Sequence, residues 1–242
     1  MSLLGTKKII VVSGLLSASF LSSLTSCSTV LSKIPAEKLN EPFRSMVLDA
    51  REERAKLLKQ YSVGSVQMLD ALSLVYKALG YEKEALELKS QAGLLRQSSS
   101  SELEANLKQG NKLIAKYNKR LSGSNHKGKL GQAAYDKHVA LRSTARDKQF
   151  NLLITRAIPE IVALTKAAEK ASTIEKAAII AQADRYIRLI SDFKKIDEFE
   201  TTVDKLAKSY GLAVKKRKDY NIDAVLKKAM PSGEGLLGGL KF

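Results

Sequence analysis

Few residues in this chain combine in a way that could make or break a bond. Cys27 is the only cysteine, so neither a disulfide within the chain nor a cysteine-based zinc site can form. The two histidines, His126 and His138, each lack a second ligand at the i+4 spacing by which a helix offers two imidazoles to zinc. No Gly-Xaa-Ser-Xaa-Gly elbow exposes a serine nucleophile, and no glycine loop runs into Lys-Ser or Lys-Thr to cradle a phosphate. Gly128-Lys129-Leu130-Gly131 has the glycines but no strand before it. Carboxylates cluster at Asp197, Glu198 and Glu200, and a glycoside hydrolase needs two such groups facing each other across a cleft. Lys194, Lys195 and Lys205 surround them, which reads as a solvated helix face with charge pairs. The expectation is a protein without enzymatic activity, with no catalytic residue, no metal and no cofactor.

The position of Cys27 gives it a different chemistry. Lys7 and Lys8 supply a positive start, and no acidic residue occurs before Glu37. Ile9 to Leu24 is apolar but softened by Ser13, Ser17, Ser19, Ser22 and Ser23. It falls short of the roughly 20 predominantly apolar residues of a membrane span, and residues 1–26 have the three parts of an export signal. Leu24-Thr25-Ser26-Cys27 resembles the lipobox of bacterial lipoproteins: an aliphatic residue, two small residues, then cysteine. That resemblance implies cleavage before Cys27, a diacylglyceryl group on its sulfur and an amide-linked acyl chain on its amine. Two or three chains, at about 0.8 kcal/mol per buried CH₂, would hold the protein on membrane lipid permanently. Ser28 resembles the outer-membrane default of the enteric sorting rule, in which Asp at that place retains a lipoprotein in the inner membrane. The expected location is therefore the bacterial cell envelope, at the outer membrane. The resemblance covers the first 27 residues and is silent on the rest.

Charge points at a partner. The chain carries a formal +16, and without residues 1–26, which hold two lysines and no acid, it still carries +14. The surplus concentrates at Lys112, Lys116, Lys119, Arg120, Lys127 and Lys129. It concentrates again at Lys215, Lys216, Arg217 and Lys218, with Lys227 and Lys228 beyond. Such a balance favours polyanionic surfaces, which in an envelope are lipopolysaccharide, anionic lipid or acidic cell-wall polymer, or an envelope protein partner. The same balance would also serve solubility alone. The run Lys215–Lys218 follows Gly211, where a helix should end. Its four side chains should be exposed, close together and replaceable at little cost in stability. A lipid anchor and the lack of an aromatic platform for single strands argue against nucleic acid.

The elements that would carry these residues read as helices. The chain is 44% hydrophobic and 27% charged, with only 14 glycines and 4 prolines, a mix that favours an all-α domain. Residues 27–36 read as a tether. Beyond it Phe43, Val47, Ala50, Arg54, Leu57 and Tyr61 step at three and four, with Arg54 the one charged interruption. Val66, Leu69, Leu72, Tyr76 and Leu79 follow, with Gly80 placed to end the stripe. Tyr81, Ala85, Leu88, Ala92 and Leu95 form a third, and Leu103, Leu107, Ile114, Tyr117 and Leu121 a fourth. Ser99 with Glu102, and Ser172 with Glu175, have capping-box spacing. The loop 123–131, with three glycines, is expected to divide an N-terminal helical half, 37–122, from a C-terminal half, 132–230, followed by a tail, 231–242. In the second half a helix should run to about Ile158, where Pro159 either kinks it or opens a new one. From the Ser172 cap through Ile180 to Tyr210 the chain should form one helix of more than 35 residues or two broken near Lys195, and Asn221 should cap a short last one. Narrow stripes and many alanines predict long antiparallel helices packed as a bundle or in a coiled-coil-like way.

Tyr76, Gly80, Ala85 and Ala92 resemble the spacing of a tetratricopeptide repeat. Leu69, Ser73, Lys89 and Gln97 depart from it, and a shift of 34 residues meets Gly110, Ile114 and Lys119 instead of a second copy. Repeats need neighbours to stack on, so an ordinary hairpin closed by Gly80 is the preferred reading. The alternatives to a scaffolding role are a degenerate interaction module of that kind and a peptidoglycan hydrolase with carboxylates unassigned.

Overall fold

The computed structural model describes residues 35–123 and 126–230. The expected export signal, Cys27, most of the expected tether and the expected tail, 231–242, lie outside them. Among the described residues the chain is all-α, with no strand. After a 3-10 turn at Ala36–Lys38 come helices α1 (Glu41–Ala78), α2 (Glu82–Gln97), α3 (Leu103–Leu121), α4 (Gln132–Leu152), α5 (Ile158–Glu169), α6 (Thr173–Ser209) and α7 (Ile222–Ala229).

The first two apolar stripes belong to one helix. α1 has 38 residues, about 57 Å at 1.5 Å per residue. Val47, Ala50, Leu57, Tyr61, Leu69, Leu72 and Tyr76 are buried along it. Gly80 ends it at φ +77°. The Tyr81 amide donates to Tyr76 O at 2.9 Å and the Gly80 amide to Lys77 O at 3.1 Å. That is a Schellman motif, and the Tyr76 and Tyr81 rings supply its apolar contact, 5.6 Å apart. Gly211 ends α6 the same way at φ +72°, with Leu212 N donating to Ala207 O at 3.0 Å.

One of the two expected capping boxes forms: Glu175 accepts from the Ser172 amide at 3.0 Å at the start of α6. The other does not, because α3 starts only at Leu103 with Glu102 itself at its N-cap; Glu102 accepts from the Ser99 amide at 3.2 Å and closes a separate turn just ahead of the helix. Asn221 Oδ1 accepts from Ala224 N at 2.9 Å and caps α7. Pro159 sits in the first turn of α5. A five-residue π turn, Leu153–Ala157, leads into it, and the Ile158 amide reaches back to Leu153 O. A proline cannot donate and crowds the carbonyl four residues back; the wider π turn absorbs that conflict within an otherwise continuous helical run. α6 shows no break at Lys195 and runs 37 residues.

The long helices alternate in direction. Ala71 meets His138 while Tyr61 meets Gln149, so α1 and α4 are antiparallel. Arg142 meets Asp204 while Arg146 meets Asp197, so α4 and α6 are antiparallel too. α2 folds back on α1, and α3 lies over α1, α2 and α6. Loop 123–131 carries the chain from α3 to α4, and one continuous core spans both sides of it. Buried tyrosines fix the register: Tyr76 donates to Tyr117 O at 2.6 Å, and Tyr186 to Ala50 O at 2.8 Å.

α1 and α4 pack tightly against each other at Gly64. A Cβ there would lie 2.6 Å from Gln149 Cγ and 3.1 Å from Ala145 O. Gln149 cannot swing aside freely, because it is fully buried and donates to Ser65 Oγ at 3.1 Å. Gly64→Ala should therefore lower stability by about 1–3 kcal/mol through overpacking. Gly93→Ala, in α2 with nothing within 4 Å of its Cβ, should raise stability by roughly 0.5–1 kcal/mol from helix propensity. Urea unfolding of the two variants reads the opposite signs.

Candidate functional site

The basic run is not a free patch. Past Gly211 the chain leaves the helix and returns as a strap across α4 and α6. Gln132 pins its start, accepting from Ala213 N at 2.9 Å and donating to Ala213 O at 3.2 Å. Lys215 then pairs with Asp136 at 3.4 Å, and Lys218 with Asp147 at 2.6 Å. Arg217 reaches Asp204 at 3.2 Å and the Asp197 carbonyl at 3.3 Å. All four basic residues are exposed, as expected. Three of them spend their charge on carboxylates of the same chain; among the described residues, Lys216 makes no ion pair. Tyr220 closes the strap, donating to Asp147 at 3.1 Å with its ring against Phe150 and Phe193.

Beneath Arg217 lies a buried network that two helical faces build. Arg142 and Arg146 on α4 are four residues apart, and Asp197, Glu200 and Asp204 on α6 are three and four apart, so each set shares one face. Arg142 holds Asp204 with both Nη atoms, at 2.9 and 3.3 Å, and Tyr135 donates to the same carboxylate at 2.7 Å. Arg146 has no exposed surface. It donates to Phe193 O at 2.6 Å and Asp197 at 2.6 Å, with its guanidinium carbon 3.3 Å from the Phe193 ring centroid.

Glu200 is the outlier. It was expected on a solvated face, but α4 and the strap cover it and it is buried. Its nearest cations are Arg146 Nε at 3.7 Å and Arg217 at 3.9 Å, beyond hydrogen-bond reach. Burial pushes its carboxyl up to about 7 in spite of Arg146, Arg142 and Arg217. His138, one turn before Arg142, is fully buried as well. Its Nδ1 donates to Ala71 O at 3.0 Å, and burial lowers its pKa to about 4, so the ring is neutral.

A carboxyl near 7 beside an ionised carboxylate is the pattern of an acid–base pair. Here Arg142, Tyr135 and Arg217 already occupy the Asp204 oxygens, and both acids are buried under the strap. The arrangement clamps α4, α6 and the strap together. His126, in the loop between α3 and α4, takes Tyr81 as its partner at 3.2 Å. Among the described residues no group of three His, Cys, Asp or Glu side chains is placed to hold a metal ion, and no helix is long and apolar enough to cross a membrane.

Sequence reading missed Arg142, Arg146, Asp204 and Tyr135. The available signal was a pair of complementary stripes, basic on α4 and acidic on α6, each at three-and-four spacing. Comparison with known protein families, with curated proteins and with solved structures finds no match to the chain.

Proposed function

We propose that this chain is a lipid-anchored, non-enzymatic protein of the bacterial cell envelope that presents a basic helical surface to an anionic envelope component. The observation that carries this reading is how the charges are divided. Asp197 and Asp204 are matched inside the fold by Arg142, Arg146 and Arg217, and the formal surplus is displayed by exposed side chains such as Lys112, Lys119, Lys127, Lys129 and Lys216. Cys27 at the lipobox would supply the anchor, and the bundle the rigid body. A peptidoglycan hydrolase would need two facing acids open to a glycan, and the Glu200–Asp204 pair is closed instead.

The strap alters how the basic run must be tested. Replacing all four residues by Ser would remove Arg217 from Asp204 as well as surface charge, so a loss of stability is expected where the sequence alone suggests none. Lys216→Ser, Lys127→Ser and Lys129→Ser leave the internal pairs intact. Binding of the full chain to lipopolysaccharide in a neutral detergent should weaken steeply between 50 and 300 mM salt, because such attraction is screened over about 8 Å at physiological ionic strength. The triple variant should bind more weakly still at an unchanged thermal midpoint. Salt-independent binding, or equal binding by the variant, would contradict the reading.

A further inference from the structure

A second concentration of positive charge lies away from the strap, in a cleft that α1, α3 and α6 form together. Arg54 from α1, Lys108 from α3, and Arg185, Arg188 and Lys195 from α6 line it, against Glu104 and Asp192. Five cations face two carboxylates around a cavity of about 270 Å³ floored by Leu58, Leu107 and Leu189. Arg54 is the charged interruption in the first apolar stripe, and its burial among Ala50 and Leu57 explains why that position matters. Only 10% of its side chain is exposed, and among the described residues its Nε has no hydrogen-bond partner. A buried guanidinium N–H with nothing to donate to costs free energy unless something supplies an acceptor.

We propose that this cleft binds a phosphate-bearing ligand, with Arg54 and Arg185 as the groups that hold it and Arg188, paired with Asp184 at 2.8 Å, at its exposed rim. Two guanidinium forks from two helices suit an anion with several oxygens and up to two charges better than a single carboxylate. Glu104 already shows what the cleft accepts. One of its oxygens sits 2.7 Å from Arg54 Nη2, while 57% of its side chain is exposed, so it can turn outward and yield its place. The crowding of like charge agrees with the geometry: burial and the Arg54, Arg51 and Arg188 charges lower the Arg185 pKa even with Glu104 nearby. Asp192 does not compete, because Asn111 donates to it at 2.9 Å and Lys195 lies 3.6 Å away. The site stands independently of the lipid anchor and of the strap.

The phosphate could come from a lipid headgroup or from a free phosphate, and two titrations of the full chain in neutral detergent separate these. One uses inorganic phosphate and the other the short-chain soluble lipid dihexanoylphosphatidylglycerol, both at fixed ionic strength. Saturable binding of either probe is expected, and binding of the lipid alone would make the headgroup the ligand. Glu104→Gln removes the internal competitor and should tighten binding at least threefold. Arg185→Ala should weaken it at least tenfold. Both residues are part-exposed, so circular dichroism should show both variants folded. Lys216→Ser should leave this binding unchanged, which separates it from the polyanion surface. The proposal is overturned if neither probe binds the wild type or Glu104→Gln, or if the two substitutions move the affinity in the same direction.

Discussion

Glu200→Gln should make the folded protein lose about 3 kcal/mol as the pH falls from 6.5 to 4, where the wild type changes little between pH 4.5 and 6.5. Two buried groups produce this. His138 titrates near 4 in the folded chain against 6.5 outside it. Below 6.5 the unfolded state binds the extra proton, so stability is lost as the pH falls toward 4. Glu200 acts in the opposite sense. Its folded value is about 7 against an ordinary 4.5, so between those limits the folded state binds the extra proton. Its contribution is fully present below 4.5 and is lost as the pH rises through 7. Each interval spans roughly 2.5 pH units, or ~3 kcal/mol at 1.36 kcal/mol per unit, and the two nearly cancel where they overlap. His138→Gln should show the mirror image of Glu200→Gln, with stability rising as the pH drops from 7 to 4.5. Urea midpoints across this range read both slopes, and parallel profiles for the two variants would show that these groups do not titrate as their surroundings imply.

Arg146→Ala should cost about 3–5 kcal/mol, because removing one partner from a buried charge network leaves the others uncompensated. Asp197 and the Phe193 carbonyl would each lose a donor at 2.6 Å. The Phe193 ring would lose the guanidinium stacked on it. Arg146→Lys should recover only part of the loss, since an ammonium cannot stack as a plane and still serve Asp197 and Phe193 O together. Removing the charges in pairs, as Arg146→Leu with Asp197→Leu, should cost less than Arg146→Ala alone. Equal unfolding free energies for Arg146→Ala and wild type would mean the network contributes nothing to the fold.

The two helical sets differ in how much the sequence disclosed, and the reason is chemical. In α1 the inward face is apolar, so Val47, Leu57, Tyr61, Leu69 and Tyr76 announce it by spacing alone. The Ser172–Glu175 pair and Gly80 announce the ends of α6 and α1 that they close, since those positions have local causes. In α4 the inward face is Tyr135, His138, Arg142, Arg146 and Gln149, the residue types of a surface. Nothing in a hydrophobic pattern distinguishes them from solvated residues. His138 and Gln149 are buried against α1, and Arg142 and Arg146 against Asp204 and Asp197, which α6 brings opposite only 62 and 51 residues later in the chain. The same holds for Glu200, whose lysine neighbours suggest solvent until the strap is seen to cover it. The basic run was legible as charge but not as a strap, because its partners Asp136, Asp147 and Asp204 lie on two other helices. Arg54 was visible as an interruption of an apolar stripe, and its purpose needed α3 and α6 in place around it.

Cys27 is the proposed point at which the protein would meet the membrane. Intact and N-terminal peptide masses of the protein, isolated from the membranes of an expressing bacterium, test that most directly. The expected result is a chain that begins at Cys27 and carries diacylglyceryl on its sulfur together with an amide-linked acyl chain. Cys27→Ala should lose that mass and keep residues 1–26. An unmodified thiol at residue 27, on a chain released into the soluble fraction, would contradict the account.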